Sequence, residues 1–128
     1  MSNLTRALVI DDDAMNLEVI GRLLAIEGIA CTKAQNLQQI QAVLAINLRP
    51  DLVFLDLEMP QMDGYHVLKM LRSKLGTAVP IIACTVHQNE AATARELGFN
   101  GFISKPLDQK RFSTQVHQVL NGQPVWEL

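Results

Sequence analysis

Three adjacent aspartates, Asp11, Asp12 and Asp13, follow directly on the apolar run ALVI at residues 7–10. Carboxylates this close repel, and at ~4 Å and an effective dielectric constant of ~20 one pair costs roughly 4 kcal/mol. A fourth aspartate, Asp56, follows the apolar run LVFL (52–55), Thr85 closes PIIACT (80–85), and Lys105 follows GFIS (101–104). If these runs are neighbouring parallel strands, their carboxyl ends bring Asp11, Asp12, Asp56, Thr85 and Lys105 to one edge of the sheet. Clustered carboxylates suit a hard divalent cation, because Mg²⁺ takes oxygen ligands in near-octahedral geometry and keeps several waters. No thiolate or imidazole stands near them in the chain, which argues against zinc and copper. Asp13 reads differently. It precedes a helix-period segment, where its side chain can accept from free first-turn amides and its charge suits the helix dipole.

Positioning that edge takes strands and helices in alternation. With IACT (29–32) there are five apolar runs, each continuous and not alternating, as strands covered on both faces of a parallel sheet read. Between them lie five helix-period segments. Leu17, Ile20, Leu23, Leu24 and Ile26 mark the core face of the first, which Gly28 ends. Leu37, Ile40, Val43 and Leu44 mark the second, capped by Asn36. Val67, Leu68 and Leu71 mark a third, reached through the turn Asp63-Gly64. The fourth covers about Glu90 to Leu97 and stops at Gly98, and Phe112, Val116, Val119 and Leu120 mark the fifth. Short right-handed crossovers make this (βα)5 series a doubly wound α/β sandwich, whose ligands sit at the carboxyl ends of the strands.

The 128 residues suit one domain, and the tail NGQPVWEL leaves no room for a second, so residues 1–128 are expected to form a single unit with a core over about 5–122. With 48 % hydrophobic and 19 % charged residues the chain reads as folded. A net charge of −2 without any Lys/Arg run gives no support to a nucleic-acid or membrane surface. No apolar stretch approaches a membrane span, and the start does not read as a signal peptide. Cys31 and Cys84 are expected as small buried hydrophobes in a reducing cytoplasm, and His66, His87 and His117 as surface histidines.

Taken in order, VIDDDAMN, VFLDLEMPQMDG, PIIACT and GFISKP resemble the receiver domain of two-component response regulators over about residues 5 to 122. The resemblance implies a flavodoxin-like sandwich with strand order 2-1-3-4-5 and an aspartyl phosphoacceptor, Asp56, acting as a carboxylate nucleophile. It implies that Mg²⁺ (with Mn²⁺ as a substitute) is held by Asp11, Asp12, Asp56 and the backbone carbonyl of Glu58. Lys105 would pair with Asp56 and then with a phosphoryl oxygen. Thr85 would answer the acyl phosphate through its hydroxyl, and Phe102 would report that movement. The Lys105-Pro106 bond is expected to be cis, turning Lys105 toward Asp56. Val86, with Glu58 and His87 modulating the same approach, is expected at the mouth of the site, the alternative being a Val86 that points into the core; the Glu58 side chain is expected to be exposed. The implied partners are a histidine kinase or phosphotransfer protein, and a downstream protein docking on the helix 4–strand 5–helix 5 face. No direct nucleic-acid or membrane contact is expected, and the protein is expected to be a monomer or weak dimer.

Rival readings fare less well. A phosphatase of the haloacid-dehalogenase type needs a second Asp two residues after its nucleophile, where Glu58 stands. A flavodoxin-like cofactor module would carry a Ser/Thr/Gly-rich loop after the first strand, whereas this acidic one repels a phosphate. A phosphate-independent pseudo-receiver would lack part of the chemical set, all of which is present. GFNGF stands before Lys105, at the start of the fifth strand, where many DNA-binding regulators carry GADDY, which argues against their symmetric dimer. The expectation is thus a phosphoacceptor that turns over no external substrate, either as a single-domain regulator or as a receiver cut from a larger protein.

Overall fold

The structure, a computed structural model, describes residues 4–46, 49–86 and 88–126. Its elements run β1 (Arg6–Ile10), α1 (Ala14–Ile26), β2 (Ala30–Ala34), α2 (Leu37–Ala45), β3 (Leu52–Asp56), β4 (Glu58–Met59), β5 (Met62–Asp63), α3 (Gly64–Leu75), β6 (Ile81–Thr85), α4 (Ala91–Glu96), β7 (Gly101–Ser104), α5 (Gln109–Leu120) and β8 (Val125–Trp126). A 3-10 turn, Gln88–Glu90, leads into α4.

Side chains alternate across each central strand, and both sets are apolar. Leu8, Ile10, Val53, Leu55, Ile81 and Ala83 pack into one core with Ile40, Val67, Leu71 and Phe99. Ala7, Val9, Leu52, Phe54, Ile82 and Cys84 pack into the other with Leu17, Ile20, Leu24, Phe112 and Val116. Phe54 and Phe112 meet there with ring centroids 5.5 Å apart. The sheet therefore has α1 and α5 on one face and α2, α3 and α4 on the other. Its order is β2-β1-β3-β6-β7-β8, every neighbouring pair parallel. The first five are the doubly wound 2-1-3-4-5 sandwich that the sequence implies. The sixth is an addition, with Val125 and Trp126 pairing with Gly101 and Phe102.

Local signals place the helices. Asp13, Asn36 and Asp63 each accept from an amide of the first turn of the helix they precede, and Gly28 ends α1 with φ of +75°. Some expected core positions are corrected. Ile26 (59 % exposed), Leu37 and Leu120 are open because each is a terminal residue of its helix, beyond the reach of the sheet. Cys31 is only half-buried because β2 is an edge strand, while Cys84 is fully buried. The two cysteines are free, and His66 and His117 are exposed.

Candidate functional site

Strand register brings the polar ends together. Ile10 pairs with Leu55, Asp56 with Cys84, and Thr85 with Ser104, so Asp11, Asp56, Thr85 and Lys105 leave the sheet side by side. Carboxylate oxygens of Asp11, Asp12 and Asp56 all lie within 4.8 Å of one another. Asp11 and Asp56 are buried (1 % and 4 % exposed), and Asp12 is exposed.

An ammonium group and two backbone amides offset this negative charge. Lys105 Nζ lies 2.9 Å from Asp11 Oδ2 and 3.3 Å from Asp56 Oδ1. The sequence reading anticipates the second pairing and misses the first, closer one. Lys105-Pro106 is cis, as expected. The Asp13 N–H donates to Asp11 Oδ1 at 2.9 Å, and the Glu58 N–H donates to Asp56 Oδ1 at 3.1 Å. Burial nevertheless raises the Asp56 carboxyl to about 6. The Glu58 amide and the Lys105 ammonium oppose that rise, while the Asp11 charge adds to it. Burial pulls Lys105 down, but its hydrogen bond to Asp11 and the two carboxylate charges outweigh it, so its pKa ends above the ordinary value. Asp56 thus carries a burial cost, and the Lys105 ammonium lies closer to Asp11 than to it. Beside them burial pushes the Cys84 thiol up to about 12.

An open cavity of about 380 Å³ sits over this edge, lined by Asp11, Asp12, Asp56, Glu58, Val86 and Lys105 among others. Among the described residues its donor set is oxygen from three carboxylates, with no sulfur or imidazole ligand, which fits a hard divalent cation of the Mg²⁺ kind.

Val86 stands at the mouth of the site as expected, whereas Glu58 behaves differently from expectation. Glu58 is half-buried, and its Oε1 accepts a short hydrogen bond from the Thr85 hydroxyl and another from the Val86 N–H at 3.0 Å. The exposed Glu58 of the sequence reading is corrected: Met59 faces the core, and alternation along β4 turns Glu58 toward Thr85. Val86, 55 % exposed, lines the cavity and does not fill the core. Thr85 and Phe102 are fully buried, Phe102 among the core residues on the α3 and α4 side. His87 lies outside the described residues.

A family model described as the response regulator receiver domain matches residues 7–117. The chain belongs to that family. Receiver domains act as phosphoacceptors in two-component signalling, in response regulators and in hybrid kinases alike. This one is 33 % identical over 116 residues to the osmosensing histidine protein kinase SLN1 of Saccharomyces cerevisiae, a match covering 85 % of the chain and 10 % of that protein. It is 31 % identical to the phosphate regulon transcriptional regulatory protein PhoB of Pseudomonas aeruginosa, over 88 % of the chain and 50 % of that protein. The receiver domain therefore spans half or less of these relatives' length. Among solved structures, a CheY-like receiver domain protein from Methanospirillum hungatei is similar in fold, with a TM-score of 0.82 and 22 % identity over 94 % of this chain and 97 % of that one. No helix among the described residues is long and apolar enough to cross a membrane.

Proposed function

We propose that Asp56 is the phosphoacceptor of this receiver domain and that Asp11, Asp12 and Lys105 make its phosphorylation possible. The observation that carries the reading is Lys105 Nζ between Asp11 and Asp56, beside a third carboxylate at the floor of an open cavity. In the transfer, one Asp56 carboxylate oxygen forms a bond to phosphorus. The donor's P–N bond (a phosphohistidine) or P–O bond (acetyl phosphate) breaks, and its electron pair leaves with the imidazole or acetate. Such transfers are governed by positioning and charge stabilisation.

Asp11, Asp12, Asp56 and the backbone carbonyl of Glu58 would hold Mg²⁺, or Mn²⁺ in its place, which when bound neutralises charge on the phosphoryl oxygens. Lys105 stands ready for a phosphoryl oxygen while Asp11 keeps it protonated. Thr85 and buried Phe102 are the switch pair, and Val86 with Glu58 narrows the approach. The phosphoryl group comes from a histidine kinase or phosphotransfer protein, and the response is read by a protein docking on α4, β7 and α5. In this reading residues 1–128 are one receiver unit in the cytoplasm, a monomer or weak dimer. It turns over no external substrate and touches neither nucleic acid nor membrane directly.

The test is intact-mass measurement after incubation with acetyl phosphate and Mg²⁺. One phosphoryl group should add to the wild-type chain, and none to Asp56→Asn or to wild type in EDTA. Phosphoryl addition that persists in either control refutes the assignment.

A further inference from the structure

Thr85 is the group expected to read the phosphoryl group, yet its side chain is fully buried and is not part of the cavity wall. Glu58 and Val86 form that wall instead. A threonine hydroxyl carries one hydrogen, and a backbone amide carries one. In this structure the Thr85 hydroxyl and the Val86 N–H both donate to the same atom, Glu58 Oε1. Two donors converging on one anionic oxygen is the arrangement a phosphoryl oxygen would need from them. Glu58 is also tied to the acceptor itself, through its own N–H on Asp56 Oδ1.

We infer that the Glu58 carboxylate occupies the place of a phosphoryl oxygen in the resting receiver, and that phosphorylation of Asp56 must expel it before Thr85 can respond. The inference rests on Asp56 being the acceptor and deepens that reading by naming the group that opposes the switch. Each donor has a single hydrogen to give, and two anions cannot share the place without strong repulsion. Glu58 therefore biases the receiver toward its unphosphorylated arrangement by its differential contacts in the two states. It acts on the acceptor through Thr85 and Val86, as a positioning residue.

The probe is beryllofluoride at saturating Mg²⁺, titrated into wild type, Glu58→Ala and Glu58→Gln, each with Thr85 intact and as Thr85→Ala. Binding is read by NMR from the backbone amide signals of Phe102 and Lys105, which every variant retains. Losing two charge-assisted hydrogen bonds to the latch should tighten beryllofluoride binding roughly tenfold in Glu58→Ala. Glu58→Gln should fall between, because its amide oxygen still accepts both bonds but without charge. In the Thr85→Ala background the gain from Glu58→Ala should shrink, since the pair is coupled. Simple relief of negative charge would instead make Gln and Ala equal and leave the gain independent of Thr85. That outcome, or binding in Glu58→Ala no tighter than in the folded wild type, overturns the inference while leaving Asp56 as acceptor. Binding by Glu58→Ala alone, with none by wild type, supports it. Failure of every variant to bind overturns the acceptor assignment and the inference with it.

Discussion

Replacing Asp56 with Asn should stabilise the metal-free protein at neutral pH and do nothing of the kind at pH 4. The acidic group is held at about 6 in the folded protein against an ordinary value of 3.8, chiefly because it is buried. The folded state therefore keeps a proton that the unfolded chain has already released. A carboxyl raised on folding contributes stability that is present below its unfolded pKa and lost as pH rises through its folded one. At 1.36 kcal/mol per pH unit, the gap between 3.8 and about 6 amounts to about 3 kcal/mol in all, of which wild type loses about 2.5 kcal/mol between pH 4 and pH 7.5, because the unfolded carboxyl is already more than half ionised at pH 4. Asn does not titrate, and its side-chain oxygen can still accept from the Glu58 amide. Lys105 keeps Asp11 at 2.9 Å, so the substitution does not strand its charge. Urea unfolding followed by circular dichroism in EDTA, for both proteins at intervals from pH 4 to 7.5, measures the difference, in which other titrating groups largely cancel. The mutant's advantage should grow by about 2.5 kcal/mol across that window, worth roughly 10 °C in midpoint temperature for a chain of this size. A difference that stays flat with pH, or a mutant less stable than wild type at pH 7.5, means that Asp56 does not carry that burial cost.

Other expectations follow from packing and access. Millimolar Mg²⁺ should raise the thermal midpoint of wild type and leave Asp56→Asn with a smaller rise, as mass action requires of a cation held by that carboxylate; equal rises would place the cation elsewhere. Gly101→Ala would put a Cβ 2.7 Å from the Val125 carbonyl oxygen, so it should detach β8, cost about 1–3 kcal/mol and shift the fluorescence of Trp126, the only tryptophan of the chain. Unchanged emission and stability would mean that β8 accommodates the methyl group. Val86→Ala should shorten the lifetime of the phosphoryl group on Asp56, because two methyl groups leave the cavity mouth; an unchanged or longer lifetime removes Val86 as a gate. A thiol reagent at pH 8 should label half-buried Cys31 well before Cys84, which is fully buried with its thiol pushed to about 12, and equally rapid labelling would contradict that burial.

What could be read from the chain divides along a physical line. The central strands were legible because burial on both faces leaves only apolar residues, and a run such as LVFL admits few other settings. Asp11, Asp56 and Lys105 were legible because a polar residue directly after such a run must stand at the sheet edge, and parallel pairing brings those edges together. Asp13 and Asn36 were legible as caps because the chemistry is local. The strand Val125–Trp126 was not, since two residues carry no period and their pairing depends on a gap that only Gly101 leaves open. Nor was the direction of Glu58. Glu58 pairs with Asp63 and Met59 with Met62, a two-residue ribbon that the sequence presents only as turn chemistry around Pro60 and Gln61. Once Met59 is anchored in the core, the ribbon aims the preceding carboxylate at the Thr85 hydroxyl. A residue that reads as loop punctuation thereby faces the hydroxyl proposed to read the phosphoryl group. Turn residues next to a reactive strand end are thus the positions where a sequence conveys least and regulation is most easily built.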